Sequence, residues 1–215
     1  MSRTAMVLVL VVMIAACDLE LSVDPMTAPT APTTSTTVPS SSTTAAPVTT
    51  LIPPPDLTEL AARWTVSLRR AGPYLVGMTL AEAEAAAPAR LIELEDGDPA
   101  CSFWIHDPAT GIGDEMMLMV RAGRIARIDV DGTSLRTLSG IGVGDTASAV
   151  TSTYGGLIVS SRPPDGQVAE GYLTYIPDDA VDIEYRIRFE IVGGVVTTFR
   201  IGTVPEVEWV NRCGR

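Results

Sequence analysis

Lysine is absent from this 215-residue chain: all 15 basic residues are arginine, Asn211 is the sole asparagine, Gln167 the sole glutamine and His106 the sole histidine. Without lysine there is no P-loop phosphate ligand, and one histidine leaves too few candidates for a zinc site of the usual four ligands. The amide poverty and the arginine preference match GC-rich coding and carry no functional message. Positive charge is scarce as well, 15 basic against 26 acidic residues, for a net charge of −11. That balance argues against nucleic-acid or anionic-membrane binding through the domain surface, and leaves a basic partner, a cation or colloidal solubility open. The apolar segment from Ala5 to Ala16 has 12 uncharged residues, well short of the roughly 20 that a membrane-spanning helix needs.

What is present begins with that segment. Arg3 and the amino terminus supply a positive start, the apolar run follows, and residues 1–16 read as a secretory signal. Ile14-Ala15-Ala16-Cys17 resembles the lipobox of bacterial lipoproteins, in which an aliphatic and two small residues precede a cysteine that is diacylated and becomes the mature N-terminus. The resemblance implies a lipid-attachment site at Cys17, palmitate-type acyl chains and residence at the extracytoplasmic face of the cell membrane. The alternatives are an ordinary cleaved signal with a chance cysteine, or an uncleaved anchor. Two acyl chains on one cysteine meet the two-signal requirement for stable anchoring, each buried CH₂ contributing about 0.8 kcal/mol. Removal of Arg3 with the signal would take the net charge from −11 to −12. Asp18 resembles the inner-membrane retention residue of envelopes that sort their lipoproteins.

Of the three cysteines, lipidation of Cys17 leaves Cys101 and Cys213 as the possible disulfide, favoured in an oxidising compartment. Two buried free thiols or a metal pair are the alternatives.

From Pro25 to Pro55 there are ten threonines, eight prolines and four serines, with no charge between Met26 and Pro55. Such a segment buries too little apolar surface to offset its ordering entropy. Residues 17–55 are therefore expected to be a disordered stalk, its 31 Thr/Pro/Ser-rich residues reaching up to roughly 90 Å in an extended polyproline-like form. The folded part is expected at 56–215, near the usual size of one domain. Within it Ser67-Leu68-Arg69 recurs as Ser134-Leu135-Arg136 and Val76-Gly77-Met78-Thr79 as Val143-Gly144-Asp145-Thr146, while Met117 to Val130 lines up with Arg188 to Ile201. These recurrences predict an α+β fold of two tandem units, about 67–133 and 134–202, each a short helix followed by an antiparallel sheet, with a C-terminal tail.

Thr79 with Glu82 forms a capping-box pattern that opens a helix ending before Pro88; Thr146 opens a second, stopped by Gly155-Gly156. Strands are expected at Ser102–His106, Met116–Arg121 and Arg124–Val130, then at Tyr172–Ile176, Glu184–Val192 and Val195–Ile201, with glycine turns at Ala122-Gly123 and Gly193-Gly194. Alternation such as Tyr185-Arg186-Ile187-Arg188-Phe189-Glu190-Ile191 suggests one covered and one solvated sheet face. Leu60, Trp64 and Leu68 at helical spacing predict a lead-in helix over 57–68.

Two such units in an exported chain resemble the tandem-repeat fold of the β-lactamase inhibitor proteins, and a single unit is similar to the small lipoproteins of the outer-membrane assembly machinery. The residues that carry the resemblance are Val76-Gly77-Met78-Thr79, Val143-Gly144-Asp145-Thr146 and the hairpins ending in Arg124-Ile125-Ala126-Arg127-Ile128 and Val195-Val196-Thr197-Thr198-Phe199. The inhibitors carry a disulfide within each repeat and an aromatic-rich concave face, whereas aromatics are 5% of this chain; no inhibitory contact is carried over.

The candidates for chemistry read blandly. His106-Asp107 would point to opposite faces of a strand, with no Gly-x-Ser-x-Gly elbow or reactive cysteine nearby. Asp178-Asp179-Ala180-Val181-Asp182-Ile183-Glu184 lacks EF-hand spacing and reads as a solvated loop, as does the cluster Glu93, Glu95, Asp96 and Asp98. Gly140-Ile141-Gly142-Val143-Gly144 leads into a helix without the dinucleotide fingerprint. Trp104 and Trp209 read as core. No catalytic residue, metal site or cofactor is assigned. The expected function is a non-catalytic envelope lipoprotein whose domain binds another envelope protein or a cell-wall component, with no nucleic-acid partner. The alternative is a protein inhibitor of a secreted hydrolase such as a β-lactamase or peptidase.

Overall fold

The computed structural model describes residues 56–98, 100–112, 115–210 and 213, leaving aside the side chains at 58 and 95–98. The signal, Cys17, Asp18 and the stalk lie outside the described residues. Among the described residues three short α-helices, α1 (Leu57–Ala61), α2 (Leu80–Ala86) and α3 (Ala147–Tyr154), accompany twelve strands. Four of these strands are two residues long: β1 (Thr65–Val66), β2 (Arg70–Ala71), β3 (Tyr74–Leu75) and β8 (Arg136–Thr137). They make a small sheet in the order β3-β2-β1-β8. The others are β4 (Leu91–Asp98), β5 (Cys101–His106), β6 (Met116–Arg121), β7 (Arg124–Val130), β9 (Ile158–Ser161), β10 (Gly171–Tyr175), β11 (Tyr185–Val192) and β12 (Val195–Thr203). These form one antiparallel sheet ordered β4-β5-β6-β7-β12-β11-β10-β9.

This corrects the α+β expectation of two helix-plus-sheet units. The protein is mostly β, and its long strands merge into a single eight-stranded sheet because β7 pairs with β12 from Phe199↔Val130 to Gly202↔Arg127. The small sheet also draws on both segments, since β1 pairs in parallel with β8. The physical reason lies in the sequence: β-branched and aromatic residues dominate stretches such as Val195-Val196-Thr197-Thr198-Phe199, which fit a pleated surface. The helical stretches last about two turns at most.

The lead-in helix is shorter than Leu60, Trp64 and Leu68 suggest. It stops at Ala61, because Thr65 and Val66 pair with β2 and β8 instead. The capping box at α2 forms as the residue pattern dictates: Thr79 Oγ1 accepts the Glu82 N–H and the Glu82 carboxylate accepts the Thr79 N–H at 2.8 Å. The Thr79 hydroxyl also donates to that carboxylate at 2.9 Å, and the backbone donor first, then the hydroxyl, hold the Glu82 carboxyl below its usual range.

Alternation sorts the large sheet into two faces. Leu118, Ile128, Phe199, Phe189 and Ile187 point to the face covered by Ala83 of α2, Val150 of α3 and the small sheet, and this is the main core. The opposite face carries a second cluster of Cys101, Phe103 and Met119, against which Trp209 and Cys213 of the tail pack. Among the described residues no helix is long and apolar enough to cross a membrane.

Candidate functional site

The second face of the large sheet concentrates the charge. Register places Arg127 on β7, Gly202 on β12 and Arg186 on β11 in one cross-strand row. The next row runs Asp129, Arg200, Arg188, Thr174 and Val159; the one after it runs Thr198, Glu190, Tyr172 and Ser161. Four arginines from three adjacent strands thus meet on one surface of an acidic chain. Gly202 belongs to this arrangement by necessity, since a Cβ there would stand 2.5 Å from the Ala126 carbonyl oxygen and force β7 and β12 apart.

Half of these cations are held by the C-terminal tail. Arg127 is buried, donates through Nε to Asp129 at 2.9 Å and through Nη1 to the carbonyls of Glu206 and Trp209 at 3.0 and 3.2 Å. Arg200 donates to the same Trp209 carbonyl at 2.7 Å and lies 3.6 Å from the Glu190 carboxylate. The tail is fixed further by the ion pair of Arg121 with the buried Glu206 and by the Arg121 guanidinium over the Trp209 ring at 5.0 Å. Cys101 and Cys213 close the tail as a disulfide, their Cα atoms 5.8 Å apart.

The other half is less satisfied. Arg188 lies over the Tyr172 ring at 3.9 Å, a stacking geometry that orients the guanidinium. Burial, and next the like charge of Arg200, push the Arg188 pKa down. Burial also lowers Arg200 and raises the Tyr172 hydroxyl, with Glu190 adding to the latter. The Nε atoms of Arg186 and Arg188 are buried and find no hydrogen-bond partner among the described residues.

The residues singled out in the sequence fall elsewhere. His106 is buried, shares a 2.6 Å hydrogen bond with the Tyr74 hydroxyl through Nε2, and packs 5.7 Å from the Trp64 ring. It lines a cavity of about 120 Å³ with Trp64, Ile112, Met116 and Leu135, whose polar wall is Glu115 and Ser134, hydrogen-bonded to each other. Desolvation pushes the His106 pKa down and the Tyr74 pKa up. Asp107 does not orient the imidazole; its carboxylate caps the turn at Pro108–Thr110 by accepting from Ala109 N–H at 3.0 Å. Asp182 of the acidic run pairs with Arg69, and Asp179 accepts from Val181 N–H. The glycine-rich loop already holds an anion of its own, since the Asp145 carboxylate accepts from Gly142 N–H and from Arg136, both at 2.8 Å. The Gly142 bond, then Arg136, holds the Asp145 carboxyl below its usual range.

Trp104 packs partly buried on the main core with its indole N–H donated to Ser102, and Trp209 packs in the tail cluster. Glu93 lies on the edge strand β4, while the side chains of Glu95, Asp96 and Asp98 are outside those described. No three His, Cys, Asp or Glu side chains gather as a metal site would among the described residues.

No family model matches the chain, and no curated protein is significantly similar to it. A solved structure, that of the uncharacterized protein yfeY from Escherichia coli, is 16% identical, with 65% of this chain and 99% of that chain covered and a TM-score of 0.44. At that level the likeness carries no weight for fold or function.

Proposed function

We propose that the protein is a lipoprotein held at the extracytoplasmic face of the cell membrane through Cys17, and that its β domain is a non-catalytic module binding an envelope protein or a cell-wall component. The arginine face supports this reading: a chain of net charge −11 gathers four arginines on one pre-ordered sheet face, of which Arg127 and Arg200 are taken by the tail and Arg186 and Arg188 keep unpartnered Nε–H groups among the described residues, and arginine beside aromatic side chains is the composition of binding surfaces. A sheet scaffold with hydrogen-bonded side chains lowers the ordering cost of association. The lipobox-like Ile14-Ala15-Ala16-Cys17 and the stalk support the location. The hydrolase-inhibitor reading would call for an exposed aromatic and acidic patch, whereas the described part of this face is arginine-rich and its Tyr172 is covered, so nothing favours it.

The test is crosslinking in cells, followed by membrane fractionation and affinity capture, with wild type compared to Cys17→Ala and to Thr198→Trp, a half-buried position on the arginine face. Cys17→Ala is expected to leave the membrane fraction, and Thr198→Trp to lose one specific crosslinked envelope component while remaining anchored. Membrane fractionation that survives Cys17→Ala overturns the anchoring, and crosslinks indifferent to Thr198→Trp overturn the use of this face.

A further inference from the structure

Arg188 is nine-tenths buried, its accessible fraction being 9%, yet its Nε–H meets no acceptor and its guanidinium enters no ion pair within the described residues. Buried polar atoms in native proteins are nearly always satisfied, and a buried unpaired charge is costly. Arg186, two residues earlier on the same strand face and so about 7 Å away along the backbone, presents the other unpartnered buried Nε. Its Nη1 is already used on the carbonyls of Ile183 and Tyr185.

The surrounding charges do not fill the need. Asp129 is taken by Arg127 and Glu190 faces Arg200. Glu208 acts on Arg188 only through space. The cross-strand neighbours of Arg188 are the neutral Thr174 and Arg200, and the latter adds repulsion. Among the described residues, therefore, no anion meets either of these two Nε–H groups. With Glu190, Glu208 and a strongly acidic chain around it, a singly charged oxyanion suits this position better than a doubly charged one. Carboxylate also matches the planar donor edge of arginine.

We propose, building on the reading of this face as the binding surface, that Arg188 together with Arg186 seats a carboxylate group of the ligand, with the Tyr172 ring holding the Arg188 guanidinium in plane. The ligand is accordingly a partner that offers an acidic side chain or a free carboxylate.

The test uses the full-length protein extracted from membranes and labelled with ¹⁵N-arginine, titrated with acetate at ionic strength held constant with chloride, and in a parallel arm with inorganic phosphate. The expected result is a saturable shift of the Arg186 and Arg188 Nε–H resonances with acetate, weakened at least about tenfold in Arg188→Lys, which keeps the charge and loses the forked donor edge. Glu190→Gln, which removes a competing anion without touching the seat, is expected to tighten acetate. No response beyond chloride, equal affinity in Arg188→Lys, or tighter binding of phosphate than of acetate overturns the proposal. If acetate fails while Thr198→Trp still abolishes crosslinking, the carboxylate seat falls and the binding face stands. If acetate binds as expected while crosslinks are indifferent to Thr198→Trp, the seat stands and the wider face falls as the partner's docking surface.

Discussion

His106 is the single histidine of the chain, so proton-linked stability near neutral pH falls to one side chain whose pKa burial lowers. The unfolded chain titrates it near 6.5. Between the depressed folded value and 6.5 the unfolded state binds more protons, so stability is full above about pH 6.5 and declines as pH falls below it. Urea midpoints at pH 7.5 and 5.5 are expected to drop for wild type and to change much less for His106→Gln. Asp145 acts in a separate, lower window: its depressed pKa makes a contribution that is present above the ordinary aspartate range and is lost as pH falls through the folded value. Tyr74 tests the same buried pair from the other side. Tyr74→Phe leaves the ring and removes the hydroxyl that partners His106 among the described residues, and unfolding measurements are expected to show a loss of about 1–3 kcal/mol, the usual cost of stranding a buried polar atom.

Among elements, the β7–β12 pairing decides the fold, because it joins β4-β5-β6-β7 to β12-β11-β10-β9 in one sheet. Gly202 makes that pairing possible, its missing Cβ leaving room for the Ala126 carbonyl. Gly202→Ala is expected to cost on the order of 1–3 kcal/mol, as overpacking against atoms that cannot yield does, and to raise amide exchange selectively at Arg127 to Val130 and Phe199 to Gly202. The strands on either side were legible in the sequence. Met116–Arg121, Arg124–Val130 and Val195–Ile201 match β6, β7 and most of β12 because glycine turns and β-branched runs mark them locally. The capping box of α2 was equally local. What escaped was short or disguised: β1, β2, β3 and β8 have two residues each and no periodicity, and the acid-rich Leu91–Asp98 hides the edge strand β4. Helical spacing of Leu60, Trp64 and Leu68 misled because strand pairing at Thr65 and Val66 outweighs it. The arginine face was legible only in part. The alternation Arg186-Ile187-Arg188-Phe189 gives the polar side of β11, but Arg127 and Arg200 join it through cross-strand register, which no single segment reveals.

At the scale of the whole molecule the tail and its disulfide set how firmly the two ends of the domain are joined. Cys101 and Cys213 are 112 residues apart, and closing so long a loop in the unfolded chain corresponds to roughly 4–5 kcal/mol. Domains of ordinary size have only about 5–15 kcal/mol in total, so the cross-link accounts for a large share of stability. Its effect should nonetheless be global rather than local. Without the disulfide the tail still has Val207 fully buried, the Arg121–Glu206 pair, and the Arg127 and Arg200 hydrogen bonds to the Glu206 and Trp209 carbonyls. The double variant Cys101→Ser, Cys213→Ser is therefore expected to lose roughly 4–5 kcal/mol in urea unfolding, with a steeper denaturant slope from a more expanded unfolded state. Its native Arg127 and Arg200 side-chain resonances should stay in place. Early movement of those resonances, ahead of the main transition, would instead make the disulfide the clasp that keeps the tail over its half of the arginine face, and reduction would then uncover Arg127 and Arg200 beside Arg186 and Arg188.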